Sequence, residues 1–329
     1  MFKKKELKLT DPIAELLKVN PWRKDENQRV AMTISCRDSD YIPKVTDAGR
    51  ITKVDSSRVQ VMHNGLKVLS GGYHGNWMEK IIKDLKGHHE PQEEKLFYEV
   101  LRRLDKSPTI IELGSFWSYY SLWLLSQFPK GRAIACEPDA KNRSIGEQNA
   151  RINNLSDRIT FVDSAAGNND GQTIELAMDS NQSKTIKTTV RTIDSLVREH
   201  KLPKVDILHM DVQGAELGAL EGMREIIKND KVRFVFVSTH HYTFSHDPLT
   251  HQKCKTFLEE HGAHIVASHT IAESFSGDGL IVASFDKRDK DFVVDISVNH
   301  TDNSLFRPFE EDIALMIGIV HDVQRGKIK

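Results

Sequence analysis

Cysteine is scarce. Cys36, Cys136 and Cys254 are the only three in 329 residues, far apart and without a CxxC pair, which argues against a disulfide framework and a cysteine zinc site. Long apolar runs are missing too: no stretch approaches the ~18 residues a membrane-spanning helix needs. The opening "MFKKKELKLTDPIAELL" is basic but has no apolar core of signal-peptide length. A cytoplasmic protein is expected. An excess of either charge is absent as well, with 46 Lys and Arg against 47 Asp and Glu, so no global field draws nucleic acid or an anionic membrane. The expected partner is a small molecule or glycan, with homo-oligomerisation left open. No internal repeat or low-complexity segment is present.

What is there is a chain long enough for one large α/β domain with appendages. Residues 1–88 read as short, turn-rich pieces. "RVQVMHNGLKVLS" alternates apolar and polar residues around Asn64-Gly65, which predicts a hairpin with a type I′ turn. Two amphipathic helices follow, the second opening with Pro91 and nearby acids. Residues 89–285 form the main domain, with strands expected at "TIIEL", "RAIACE", "RITFVD", "VDILHMD", "FVFVST", "AHIVAS" and "LIVAS". Helices are expected to begin near Tyr119, Ala140, Glu216 and Leu249, and "QTIELAM" with "KTIKTTVRTI" adds a small β excursion. Apolar strands alternating with amphipathic helices indicate a Rossmann-like, mostly parallel sheet covered on both faces. Residues 286–329 read as an arm carrying one helix.

Glycine is thin where a nucleotide-binding turn would want it. In "TIIELGSFWSYYSLW" the turn after the first strand holds Gly114 alone. A dinucleotide fold wants G-x-G-x-x-G for close approach to pyrophosphate. One glycine and a helix N-terminus suit instead the amino-acid half of S-adenosylmethionine, whose carboxylate can meet helix N–H groups. Ser118 is expected to cap that helix. Glu137, twenty-three positions beyond Gly114, falls where an acid takes ribose hydroxyls. Asp163 and Ser164, after the third strand, can meet an adenine edge.

"IIELGSFWSYYSLW", "CEPDAKNRSIGEQNARIN", "TTVRTIDSL" and "VDILHMDVQGAELGALEGM" resemble, in order, the motifs of the FkbM family of S-adenosylmethionine-dependent methyltransferases. The resemblance covers about residues 90–285. It implies a class I methyltransferase fold with seven strands and an antiparallel last hairpin, and methyl transfer to hydroxyls of sugars or natural products. Carried across by position, Glu112 and Gly114 form the first motif, Glu137 takes the ribose and Asp211 ends the fourth strand beside the methyl group. Ser115, Ser118 and Tyr119 belong to the same turn and helix start, and Gln92 or His89 is expected to line the pocket from above. The chain departs from the family in having Ser118 for glycine, Gln213 for glutamate, and "VSTHHY" where an acid ends the fifth strand.

A sugar hydroxyl needs a general base or a metal to lose its proton. The strand-end candidates are His240 or His241 as the base, with Asp211 orienting the imidazole or the substrate. Asp211, His240 and His241 could alternatively hold a divalent metal, although no fixed ligand spacing supports it. The preferred reading is an O-methyltransferase acting on a sugar, glycan precursor or glycosylated small molecule. A methyltransferase of polyketide or peptide products and an inactive methyltransferase-like binding module are the alternatives.

Overall fold

A computed structural model describes residues 22–178, 181–307 and 309–325; the chain opening read above lies outside them. Helix α1 (Glu26–Ser35) starts at Asp25, which accepts from Gln28 N while Asp25 N donates back to the Gln28 side chain. This reciprocal box satisfies two of the donors a helix start leaves free. Strands β1 (Ile51–Val54), β2 (Ser57–Val61) and β3 (Lys67–Leu69) make an antiparallel meander. The β2–β3 hairpin is present, but its turn is not type I′. Of Asn64 and Gly65 only Gly65 is left-handed (φ +87°), and Met62 N donates to Leu66 O at 2.7 Å. The loop therefore holds three residues, because His63 turns inward and its N–H donates to Gly87 O.

Helices α2 (Asn76–Asp84) and α3 (Pro91–Leu101) lead into the main sheet. Its first half consists of β4 (Thr109–Leu113), α4 (Tyr119–Gln127), β5 (Arg132–Cys136), α5 (Ala140–Ile152) and β6 (Ile159–Val162). The excursion β7 (Ala165–Ala166), β8 (Thr173–Met178) and β9 (Asn181–Arg191) forms a separate three-stranded sheet before α6 (Ile193–Glu199). The second half runs β10 (Val205–Asp211), α7 (Glu216–Glu221), α8 (Arg224–Lys228), β11 (Val232–Thr239), α9 (Tyr242–Ser245), α10 (Thr250–Glu260), β12 (His264–His269) and β13 (Gly279–Ser284).

The seven strands lie in the order β12-β13-β11-β10-β4-β5-β6. All neighbours are parallel except those of β13, which runs antiparallel to both β11 and β12. Alternate residues feed two cores. Ile110, Ile207, Phe234 and Phe236 meet Phe97 and Trp123 on one face; Ile111, Leu113, Leu208 and Met210 meet Leu220 and Phe257 on the other. Val30, Met62, Met78 and Ile81 belong to the first core, so the N-terminal elements share it with the sheet. Cutting a buried Phe of this kind to alanine costs about 3–5 kcal/mol.

The arm after β13 returns toward the N-terminal elements. Arg233 clasps buried Asp289 with two hydrogen bonds of 2.9 and 3.0 Å. Trp22 then pairs with Phe306, and Arg23 N donates to Leu305 O at 2.9 Å. Helix α11 (Phe309–Gln324) follows. Among the described residues no helix is long and apolar enough to cross a membrane.

Candidate active site

Parallel strands deliver their last residues to one edge of the sheet, and the turn after β4 lies at its centre. Gly114 is left-handed (φ +69°), and a Cβ there would stand 1.8 Å from the Asp211 carbonyl oxygen. No other residue fits. Phe116 and Ser118 are also left-handed (φ +39° and +60°). Ser118 thus adopts the backbone conformation that favours glycine, at a cost of about 1 kcal/mol.

Ser118 does not cap α4: its side chain makes no cap hydrogen bond and its buried hydroxyl has no protein partner. The left-handed backbone turns the serine away from the helix start. Glu112 caps from within, accepting from Ser121 N at 3.0 Å. Burial pushes the Glu112 carboxyl up, opposed by His209 and these hydrogen bonds. Trp117, which the sequence leaves unexplained, stacks on Tyr73 with ring centroids 4.4 Å apart and planes 2° from parallel. Its carbonyl accepts from Asn149 Nδ2, so the turn is clamped between α5 and the segment leading to α2.

Glu137, at the end of β5, is buried and accepts from Phe116 N at 3.1 Å and Asp139 N at 2.8 Å. Its carboxylate is fixed beside the turn by backbone donors. Ser115 is buried with an unpartnered hydroxyl. Asp163 is exposed and bonded to Arg143 at 3.0 Å, while Ser164 next to it is buried. Two of the expected cofactor residues face elsewhere. Tyr119 sends its hydroxyl to His63 Nδ1 at 3.0 Å. Gln92 spends its amide on the arm, donating to Ser297 O at 2.7 Å and accepting from Phe275 N at 2.9 Å. Both sit at helix starts whose side chains turn into the fold, so their role is to hold N-terminal elements and arm in place.

The adjacent histidines after β11 divide. Buried His240 donates from Nδ1 to Glu216 Oε1 at 2.6 Å, and its Nε2 lies 3.1 Å from Asp211 Oδ1 and 3.7 Å from Asp278 Oδ1. Gln213 Nε2 is 2.9 Å from the same ring nitrogen. Burial opposes charge on this ring, but Asp278, Glu216 and Asp211 overcome it and raise its pKa well above the usual value. The three carboxylates draw the ring toward the imidazolium, a form that would hold Asp211 and Asp278 in place rather than accept a proton. His241 points the other way, stacked on Phe306 at 4.2 Å and 3°. Burial, helped by Arg307, pushes it down to about 4.

Of the carboxylates that face His240, Asp278 is pushed up to about 6 by burial and the neighbouring Asp211 against the pull of His240; Glu93, bonded to His209 and Ser238, is pushed up to about 7 by burial against the pull of His209. Asp211 moves the opposite way, because the hydrogen bond and charge of His240 outweigh its burial. Asp278 and Asp211 keep partial exposure, with side-chain values of 27% and 30%, so an acceptor can reach them. Thr239 of β11 pairs with Gly279 of antiparallel β13, which carries Asp278 to the same edge. Glu216 does not form a cap with Asp211; it accepts from Gly214 N and from His240.

Asp211, His240 and His241 do not converge as metal ligands, since the last packs against the arm. Among the described residues, only His63, His88 and Glu94 bring three ligating atoms within 4.8 Å of one another. Within that buried group Glu94 bonds His88 and His89, and His63 bonds Tyr119, while His88 Nε2 has no hydrogen-bond partner.

A doubly covered seven-stranded sheet in this order, with one reversed strand beside the fifth and the site at its carboxyl edge, defines the class I methyltransferase fold. The chain belongs to the FkbM methyltransferase domain family, whose domain matches residues 99–265. Similar solved structures include TrmK of M. capricolum in complex with S-adenosyl-homocysteine, at 15% identity over 60% of this chain and 74% of that one (TM-score 0.37). An O-methyltransferase of Bacillus cereus in complex with S-adenosyl-homocysteine is 19% identical over 59% and 80% (TM-score 0.38). A putative O-methyltransferase of Klebsiella pneumoniae is 16% identical over 59% and 78% (TM-score 0.38). Comparison with curated proteins gives no significant match.

Proposed function

We propose that the protein is an S-adenosylmethionine-dependent O-methyltransferase whose acceptor is a hydroxyl of a sugar, glycan precursor or glycosylated small molecule. The observation that carries this reading is Asp278: a partly exposed carboxylate at the strand ends, pushed up to about 6 and held beside a fixed cation. The partnerless buried hydroxyls of Ser115 and Ser118 beside the Glu137 carboxylate fit a cofactor with polar edges. Gly114 to Ser118, Glu137, Asp163 and Ser164 would hold it. When bound, the cofactor supplies a methyl group activated on a sulfonium.

The chain's own residues then align the acceptor and take its proton. Asp211, kept ionised by His240, orients the hydroxyl. Asp278 accepts the proton as the oxygen gains its methyl. Glu216 and His240 move no proton; the buried ion pair keeps the two reacting carboxylates together despite their repulsion. A cleft of about 210 Å³, lined by Trp22 and Trp77 with Lys24, Asp25, Glu26, Arg29 and Leu305, is linked to the loop carrying Asp278 by the hydrogen bond from Arg29 to Ser276 O and suits a ring with apolar faces and polar rim.

Calorimetric titration with S-adenosylhomocysteine, then methyl-labelled donor with free sugars, nucleotide sugars and glycosylated aglycones, tests the reading. Saturable binding and label in an alkali-stable ether are expected. Label only on nitrogen or as a labile ester overturns the O-methyl assignment, and no binding at all overturns the enzyme.

A further inference from the structure

Arg29 stands out on α1. It enters a neighbourhood rich in carboxylates yet, among the described residues, none lies within ion-pair distance. Its Nη2 donates to Ser276 O at 3.0 Å, two residues before Asp278, and its Nε is buried without a partner. The guanidinium lies 4.5 Å from the Trp77 ring centroid and 5.7 Å from that of Trp22. It lines the same cleft as both indoles.

The two acids of that cleft do not neutralise it. Asp25 is committed to the helix start, and Glu26 is exposed in the first turn. Lys24, the other cation, donates to Asn303 Oδ1 at 2.8 Å. A planar fork with most of its donors unspent, near two indole rings, is a ready recognition surface for a carboxylate or phosphate.

We propose that Arg29 is an anion-recognition residue: the acceptor is an acidic sugar, with its ring against Trp22 and Trp77 and its carboxylate or phosphate on the Arg29 guanidinium. This rests on the reading of the Asp278 edge as the acceptor side. Because Arg29 is bonded to Ser276 O, two residues before Asp278, it presents the negative substituent beside the loop that carries Asp278. It also offsets the repulsion that the Asp211 and Asp278 carboxylates exert on such a ligand.

Intrinsic fluorescence of the full-length protein provides a readout besides activity, since two of its four tryptophans flank Arg29. Titration with glucuronate and with glucose 6-phosphate is expected to give a saturable change, at least tenfold tighter than with glucose. The stronger of the two shows whether carboxylate or phosphate is preferred. Arg29→Gln is expected to abolish the difference, and Arg29→Lys to weaken it about tenfold because the ammonium loses the fork. Unchanged affinity for S-adenosylhomocysteine in both variants shows that the fold is intact. Equal responses to glucose and glucuronate, or selectivity surviving in a folded Arg29→Gln, overturn the proposal. Loss of S-adenosylhomocysteine binding in the parent protein overturns the methyltransferase reading instead.

Discussion

The two halves of the edge hold their acids in opposite ways. On the β4–β5 side Glu112 and Glu137 are tied to backbone N–H groups of Ser121, Phe116 and Asp139. On the β10–β13 side Asp211, Asp278 and Glu216 converge on one imidazole ring. Backbone donors fix a carboxylate without reporting on pH. A shared cation leaves its partners coupled, one depressed and one raised. On the proposed mechanism the first arrangement serves where a ligand need only be held, and the second where a proton must move.

The sharpest way to break this division is at its seam. Gly114→Ala places a Cβ against the Asp211 carbonyl in a left-handed turn, so both halves should suffer: no measurable binding of S-adenosylhomocysteine and a loss of about 3 kcal/mol in denaturant unfolding. Asp278→Asn should act on one half only. Turnover is expected to drop by roughly 10² to 10⁴ with cofactor affinity kept. In the parent kcat/KM should rise with pH through about 6, and the variant should lack that limb. A pH profile unchanged by the substitution would remove Asp278 as the proton acceptor.

The two histidines give the next test. His240→Ala leaves Glu216 buried without its cation, at a cost of about 3–5 kcal/mol in unfolding free energy. The folded pKa of His240 is raised, so its contribution is fully present below its unfolded pKa and is lost as pH rises through the folded one. The variant's deficit should therefore shrink toward alkaline pH. His241→Ala should lose only about 1 kcal/mol with the Phe306 contact and keep its turnover. Smallest of all, Ser118→Gly should gain about 0.5–1 kcal/mol by relieving the left-handed backbone; a loss would restore the capping role.

The central strands β4, β10 and β11 were legible because both of their faces are buried, which writes a largely apolar run. Gly114, Glu137 and Asp211 were legible because in parallel strands function follows the last residue of the run. The role of Asp278 was not, because β13 runs backwards, so that the residue before the strand, and not the one after it, reaches the edge. His240 and His241 look alike as letters, and only alternation beyond β11 and the arm's Phe306 separate them. Glu216 was hidden by distance, since it acts on His240, brought near by tertiary packing; Glu112 was legible as part of the first motif, but its hydrogen bond to the start of α4 was not.

The pairing of Trp22 with Phe306 carries a consequence for synthesis. The cleft at Arg29 is lined by both Trp22 and Leu305, supplied by segments far apart in the chain. A ribosome completes β13 and the whole cofactor edge before the arm has emerged. The sheet edge can therefore form while the chain is still growing, and the cleft at Arg29 is completed only once the arm has emerged.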